Sequence, residues 1–156
     1  ARRLPRPPAL PRRDWSTWQA HAAFVWLLVA AGLGTALALG VPDGHRLQVM
    51  WIYGTAGLVG FLAQIVTGMQ GRVVPFYAWY RAFAAKGEPP ERGANALPSA
   101  AFAGPIFASW SLGVPLLAWG LPAGHHVAIR LAALCLLGGV VLGGAYLGYM
   151  LRRAAR

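Results

Sequence analysis

Four long apolar stretches divide the chain, and charge is confined to the segments between them. No formally charged residue lies within 19–40, 47–71, 93–129 or 131–151. A hydrocarbon core about 30 Å thick is crossed by about 20 apolar helical residues. Each stretch supplies that length with no polar face, which a water-soluble core helix of this length would need. The pattern predicts an all-α integral membrane four-helix bundle with spans at about 18–40, 47–71, 99–119 and 127–151.

The connections are read from the turn residues. Residues 1–14 (ARRLPRPPALPRRD) place four prolines among five arginines. No helix runs through that spacing, so the segment is an extended cytoplasmic arm preceding a transmembrane domain over 15–156. The first apolar run is too long for a secretory signal and lacks a convincing cleavage site. Trp15 and Trp18 suit a membrane interface. Val41-Pro42-Asp43-Gly44 and Gly120-Leu121-Pro122-Ala123-Gly124 are turns. Pro105 and Pro115 should kink the third span, because each removes a backbone donor.

The long connection, 72–98, carries a further pattern. Phe76, Trp79, Tyr80 and Phe83 fall at i, i+3, i+4 and i+7, on one face of a helix whose first turn holds Pro75. Arg72, Arg81 and Lys86 flank this face. The spacing predicts a short interfacial helix over about 75–84, between the second and third spans. An ordinary loop docked on the bundle is the alternative. The following GEPPERGANALPS has turn composition.

Charge then sets the orientation. Twelve of the 14 Lys and Arg residues lie in the N-terminal arm, the middle loop and the C-terminus; only Arg46 and Arg130 lie on the other side. This asymmetry predicts that both termini are cytoplasmic, in what is expected to be a bacterial inner membrane. The net charge of +10 flanks spans rather than lining a helix face, so nucleic acid is not an expected partner.

The candidate chemistry is sparse. Cys135 is the single cysteine, which excludes an internal disulfide and any cysteine-based metal cluster. No carboxylate, lysine or arginine lies within a span, where pumps and proton-coupled carriers usually need one. Gln64 is the most polar side chain deep in a span, suited to an interhelical hydrogen bond or, alternatively, a quinone contact. His45, His125 and His126 all lie by the two outer turns, where neutral imidazoles could hold haem iron or copper. Solvated interface histidines are the simpler reading, and His21 has no partner at its depth. No nucleophile–base pair, P-loop or HExxH suggests an enzyme. Small residues instead recur at packing spacing: Ala30, Gly34 and Ala38 in the first span, Gly54, Gly57 and Gly60 in the second. Gly139/Gly143 and Gly144/Gly148 form tandem GxxxG pairs in the fourth. Such positions let helices approach closely in lipid.

The run YGTAGLVGFLAQIVTGMQGRVVPFYAWYRAFAAKGEPP resembles a segment of membrane proteins related to haem-copper oxidase (cytochrome oxidase) subunit I. Gly54, Gly60, Gly68, Arg72, Pro75, Phe76 and Trp79 carry the resemblance, and Trp110, Gly113 and Pro115 are similar too. It covers most of this chain and corresponds to the C-terminal part of those longer proteins. The resemblance implies a bioenergetic membrane lineage, respiratory or photosynthetic, and supplies no active site. No HxH occurs here, and no ligand role passes to His125-His126. The expectation is a non-catalytic accessory subunit packing against other transmembrane subunits of a larger electron-transport complex, with no cofactor held by its own side chains. A haem- or copper-binding redox protein and a quinone-binding or carrier protein are the alternatives.

Overall fold

A computed structural model of the protein describes residues 14–86 and 100–154. Every regular element among them is helical: α1 (Trp15–Leu39), α2 (Asp43–Gly54), a π-helical segment (Thr55–Ala63), α3 (Gln64–Lys86), α4 (Ala100–Ala123) and α5 (His126–Ala154). Because α2, the π segment and α3 follow one another without a break, the described residues form four rods. All four are long and apolar enough to cross a membrane. The chain is an integral membrane four-helix bundle.

The helix ends follow from local chemistry. Asp14 caps α1, accepting hydrogen bonds from the amides of Ser16 (3.1 Å) and Thr17 (3.4 Å) and from the Thr17 hydroxyl (2.8 Å), which satisfies donors that a helix start leaves open. Gly40, at φ 102°, ends α1 in a conformation that a side chain would resist. Pro42 then precedes α2, and Asp43 lies in its first turn, where the helix dipole favours a negative charge. At the other hairpin Gly124 has φ 66°. The His125 amide donates to the Gly120 carbonyl at 3.0 Å, closing α4 as a left-handed cap does. Residues 120–123, expected in the turn, are therefore the last helical residues of α4, and His45 and Arg46 belong to the start of α2.

α4 and α5 are the most extensively packed pair, and α1 lies against the π segment and α3. The core joins Ile106, Trp110 and Val114 of α4 to Tyr146 and Met150 of α5, with Trp26, Val59, Val74 and Leu136 packed around them. Phe102 stacks on Tyr146 with centroids 5.5 Å apart. One face of α5 carries the buried Ala128, Ala132, Gly139, Tyr146 and Met150, a spacing of four and seven that keeps to one side of a 3.6-residue helix. Around the bundle, large apolar side chains such as Leu28, Leu58, Leu134 and Val141 are exposed, as hydrocarbon surroundings allow.

Two expectations change. Residues 75–84 are helical, but α3 carries straight through Pro75 from the second span, so the short interfacial helix is not a separate element. The proline removes one hydrogen bond, and the residues on either side keep helical geometry. The π segment was not expected. It is bracketed by threonines that bond back to the chain, Thr55 Oγ1 to the Trp51 carbonyl and Thr67 Oγ1 to the Ala63 carbonyl, each at 2.8 Å. Such back-bonding gives the carbonyl four residues earlier a further donor, and it bends helices. The arm 1–13 and the connection 87–99 lie outside the described residues.

Candidate functional site

The interior polar groups gather on the inner faces of the first three rods. Gln64, the first residue after the π segment, is 0% exposed, and neither its Nε2 nor its Oε1 has a partner. Gln19 on α1 is 3% exposed with its Nε2 unpaired. Trp110 Nε1 and Ser111 Oγ of α4 are also buried without partners. A buried polar group with no hydrogen bond destabilises by about 1–3 kcal/mol, and native folds rarely keep several unless something uses them.

Gln19 lines a cavity of about 40 Å³ at the end of the bundle that carries both chain termini. Trp15, Gly68, Ala103, Ile106, Gly143 and Leu147 contribute to its walls, so all four rods meet there. The walls are mostly apolar, and the cavity opens to the surface. Gly68 fits closely under Gln19: a Cβ on it would lie 3.3 Å from the Gln19 side chain.

Above the cavity, at the start of α1, Arg72 Nη2 pairs with Asp14 Oδ2 at 2.5 Å and also donates to the Thr17 hydroxyl. Burial pushes the Asp14 carboxyl up, but the Thr17 hydrogen bond and the Arg72 guanidinium outweigh it and hold the group below its ordinary value of 3.8. The pair ties α1 to α3 at the membrane surface.

The other sequence candidates fall elsewhere. His21, His45, His125 and His126 are all exposed. His21 Nδ1 lies 2.7 Å from the Thr17 carbonyl and His45 Nδ1 lies 3.2 Å from Gln48 Oε1, while His125 stacks on Trp119 with centroids 5.0 Å apart. Among the described residues no group of three His, Cys, Asp or Glu side chains is placed to hold a metal. No family model, curated protein or solved structure matches the chain. The resemblance to haem-copper oxidase subunit I therefore rests on the sequence motif alone.

The tandem glycines separate by face. Gly139 is buried, and a Cβ on it would lie 3.0 Å from Trp110 Nε1. Gly143, on the same side, lines the cavity. Gly144 and Gly148 point the opposite way, beside the exposed Leu134, Leu137, Val141 and Ala145, and a Cβ on either would meet nothing within 4 Å. Gly34 packs on Tyr53, 3.1 Å from the position of a Cβ. Of the loop aromatics, Phe76 and Tyr80 are exposed and Trp79 is half-buried, 6.4 Å from the Phe76 ring; the side chain of Phe83 lies outside the described set. The buried positions of this stretch are Pro75 and Ala78. Gln19 and the Asp14–Arg72 pair were not anticipated. A polar residue at a span boundary is ordinary, and no local signal links residues 58 apart.

Proposed function

We propose that the chain is a non-catalytic transmembrane subunit that packs against other transmembrane helices of a larger energy-transducing complex. The observation that carries this reading is the outward face of α5. The chain's own side chains close over Gly60, Gly113 and Gly139, whereas Gly32, Gly54, Gly138 and Gly143 are open like Gly144 and Gly148; the last two differ in forming a GxxxG pair on the outward face of α5. They lie one helical turn apart, beside exposed Leu137 and Val141, which leaves a small-residue groove on that face. In lipid, association draws on close packing at small residues, and this groove is shaped to admit a helix from another subunit. The subunit I motif favours an energy-transducing setting, respiratory or photosynthetic. The charge asymmetry supports a bacterial inner membrane with both termini in the cytoplasm.

The test replaces Gly144 and Gly148 together with leucine and follows the protein on native gels of mildly solubilised source membranes. The wild type should migrate in a larger assembly. The double variant should run as the free bundle with unchanged helix content and melting, because no described atom lies within 4 Å of either new Cβ. A wild type that migrates alone, or a variant that stays assembled, would overturn the reading.

A further inference from the structure

The cavity beside Gln19 joins three properties: apolar walls, an opening to the surface, and an almost wholly buried donor with no acceptor. Its depth narrows what could supply the acceptor. The Asp14–Arg72 pair and the Trp15 ring mark the headgroup level. Gln19 is five residues further along α1, about 7 Å deeper by helical rise. At that depth a bilayer offers few acceptors of its own, because acyl tails carry none. The glycerol ester carbonyls, just inside the headgroups, are the abundant ones.

Size narrows it further. A cavity of about 150 Å³ is what takes a single benzene ring. At about 40 Å³ this one does not enclose a quinone ring or a haem. It admits an ester group and the first methylenes of an unbranched chain, the rest of which would run out through the opening along the bundle surface. We propose that the cavity is a phospholipid site: the Gln19 amide Nε2 donates to a glycerol ester carbonyl, and the adjoining acyl chain fills the slot against Ile106, Gly143 and Leu147. Gly143 leaves room for that chain, since a Cβ on it would meet nothing within 4 Å. The site lies on the inward side of α5, so it is independent of the Gly144/Gly148 groove.

The protein is reconstituted in vesicles of palmitoyl-oleoyl phosphatidylethanolamine and phosphatidylglycerol, extracted in mild detergent and weighed by native mass spectrometry. One phospholipid should remain bound per wild-type chain. Gln19→Leu, which removes the donor while keeping a similar size, should lower the retained fraction about tenfold. Gly143→Leu, which fills the slot from the opposite wall, should do the same, and Gly144→Leu should leave retention unchanged. Circular dichroism melts establish that each variant is folded, and if Gln19→Leu does not fold, Gly143→Leu decides. The proposal is overturned by a wild type that retains no phospholipid, by cavity variants that retain as much as the wild type, or by retention of a prenylated quinone from source membranes in its place.

Discussion

Replacing Gly60 with alanine places a methyl group where the structure has no room for one. The new Cβ would lie 2.5 Å from Trp26 Cγ and 2.8 Å from both Trp26 Cβ and Cδ2, against a favourable carbon–carbon separation of about 3.5–4.0 Å. Swinging the indole away relieves two of these contacts. The contact with Trp26 Cβ remains, because that atom is fixed by the α1 backbone, so α1 and the π segment must move apart. Overpacking of this kind destabilises by about 1–3 kcal/mol. Alanine returns up to about 1 kcal/mol through its better helix propensity, leaving a net loss of about 0–2 kcal/mol, and of about 1–3 kcal/mol relative to an unhindered glycine-to-alanine change. Equilibrium unfolding in mixed dodecylmaltoside–SDS micelles, followed by far-ultraviolet circular dichroism, measures it. Gly144→Ala is the control, having the same propensity gain with nothing to meet. Trp26→Ala should shrink the Gly60→Ala penalty in a double-mutant cycle by removing Cγ and Cδ2. A Gly60→Ala protein as stable as Gly144→Ala, or a penalty unchanged without the indole, would show that the α1 crossing does not depend on this contact.

Gln64→Met keeps an unbranched side chain of similar length while removing two unpartnered buried polar atoms, so it should stabilise the bundle by about 1–3 kcal/mol in the same assay; destabilisation would mean that the amide has a partner. Asp14 is held below its ordinary 3.8, so its contribution is present above that value and lost as pH falls through the lower folded value. The pair is exposed, which keeps the effect under about 1 kcal/mol; unfolding midpoints measured between pH 5 and pH 2 should lose this component in Asp14→Asn, and an identical pH profile would refute the pairing. In a Cys135→Ala background, a cysteine introduced at position 43 should react with an impermeant maleimide only from the outer face of sealed vesicles; reaction only from inside would invert the topology.

The number and placement of the spans were legible because the apolar runs are long and charge stops at their edges. Asp14, the last residue before α1, was readable as a boundary for the same reason. What the sequence hides is direction around each helix. α1, α4 and α5 are apolar on nearly every side, so nothing in the text marks Gly139 as inward and Gly144 as outward; only the packing of Trp110 against Gly139 separates them. The π register of TAGLVGFLA is invisible for a related reason, since its residues serve equally well in an α-helix. Pro75 misled in the other direction: a proline after a basic residue reads as a new helix start, whereas α3 continues through it. Gln64 stood out because it lies deep in a span. Gln19 did not, because a glutamine near an interface needs no explanation until its burial is seen.

The second rod is much longer than the others. Its three consecutive parts hold 12, 9 and 23 residues, a contour of roughly 65 Å against the roughly 40–45 Å of a whole bilayer. α1 begins at the level of Arg72, so the helix beyond that residue, to Lys86, extends about 21 Å past the point where the two rods are tied. This arrangement is a lever held at its base by the ion pair and by the packing of half-buried Val74 and buried Ala78. Membranes of different thickness change the tilt of the helices that cross them, and a change of about 10° moves the far end of such an arm sideways by about 4 Å. Phe76 rides near its base and moves little, Tyr80 lies past the middle, and the end at Lys86 moves most, so the thickness of the surrounding lipid is expressed as a displacement at the protein's surface.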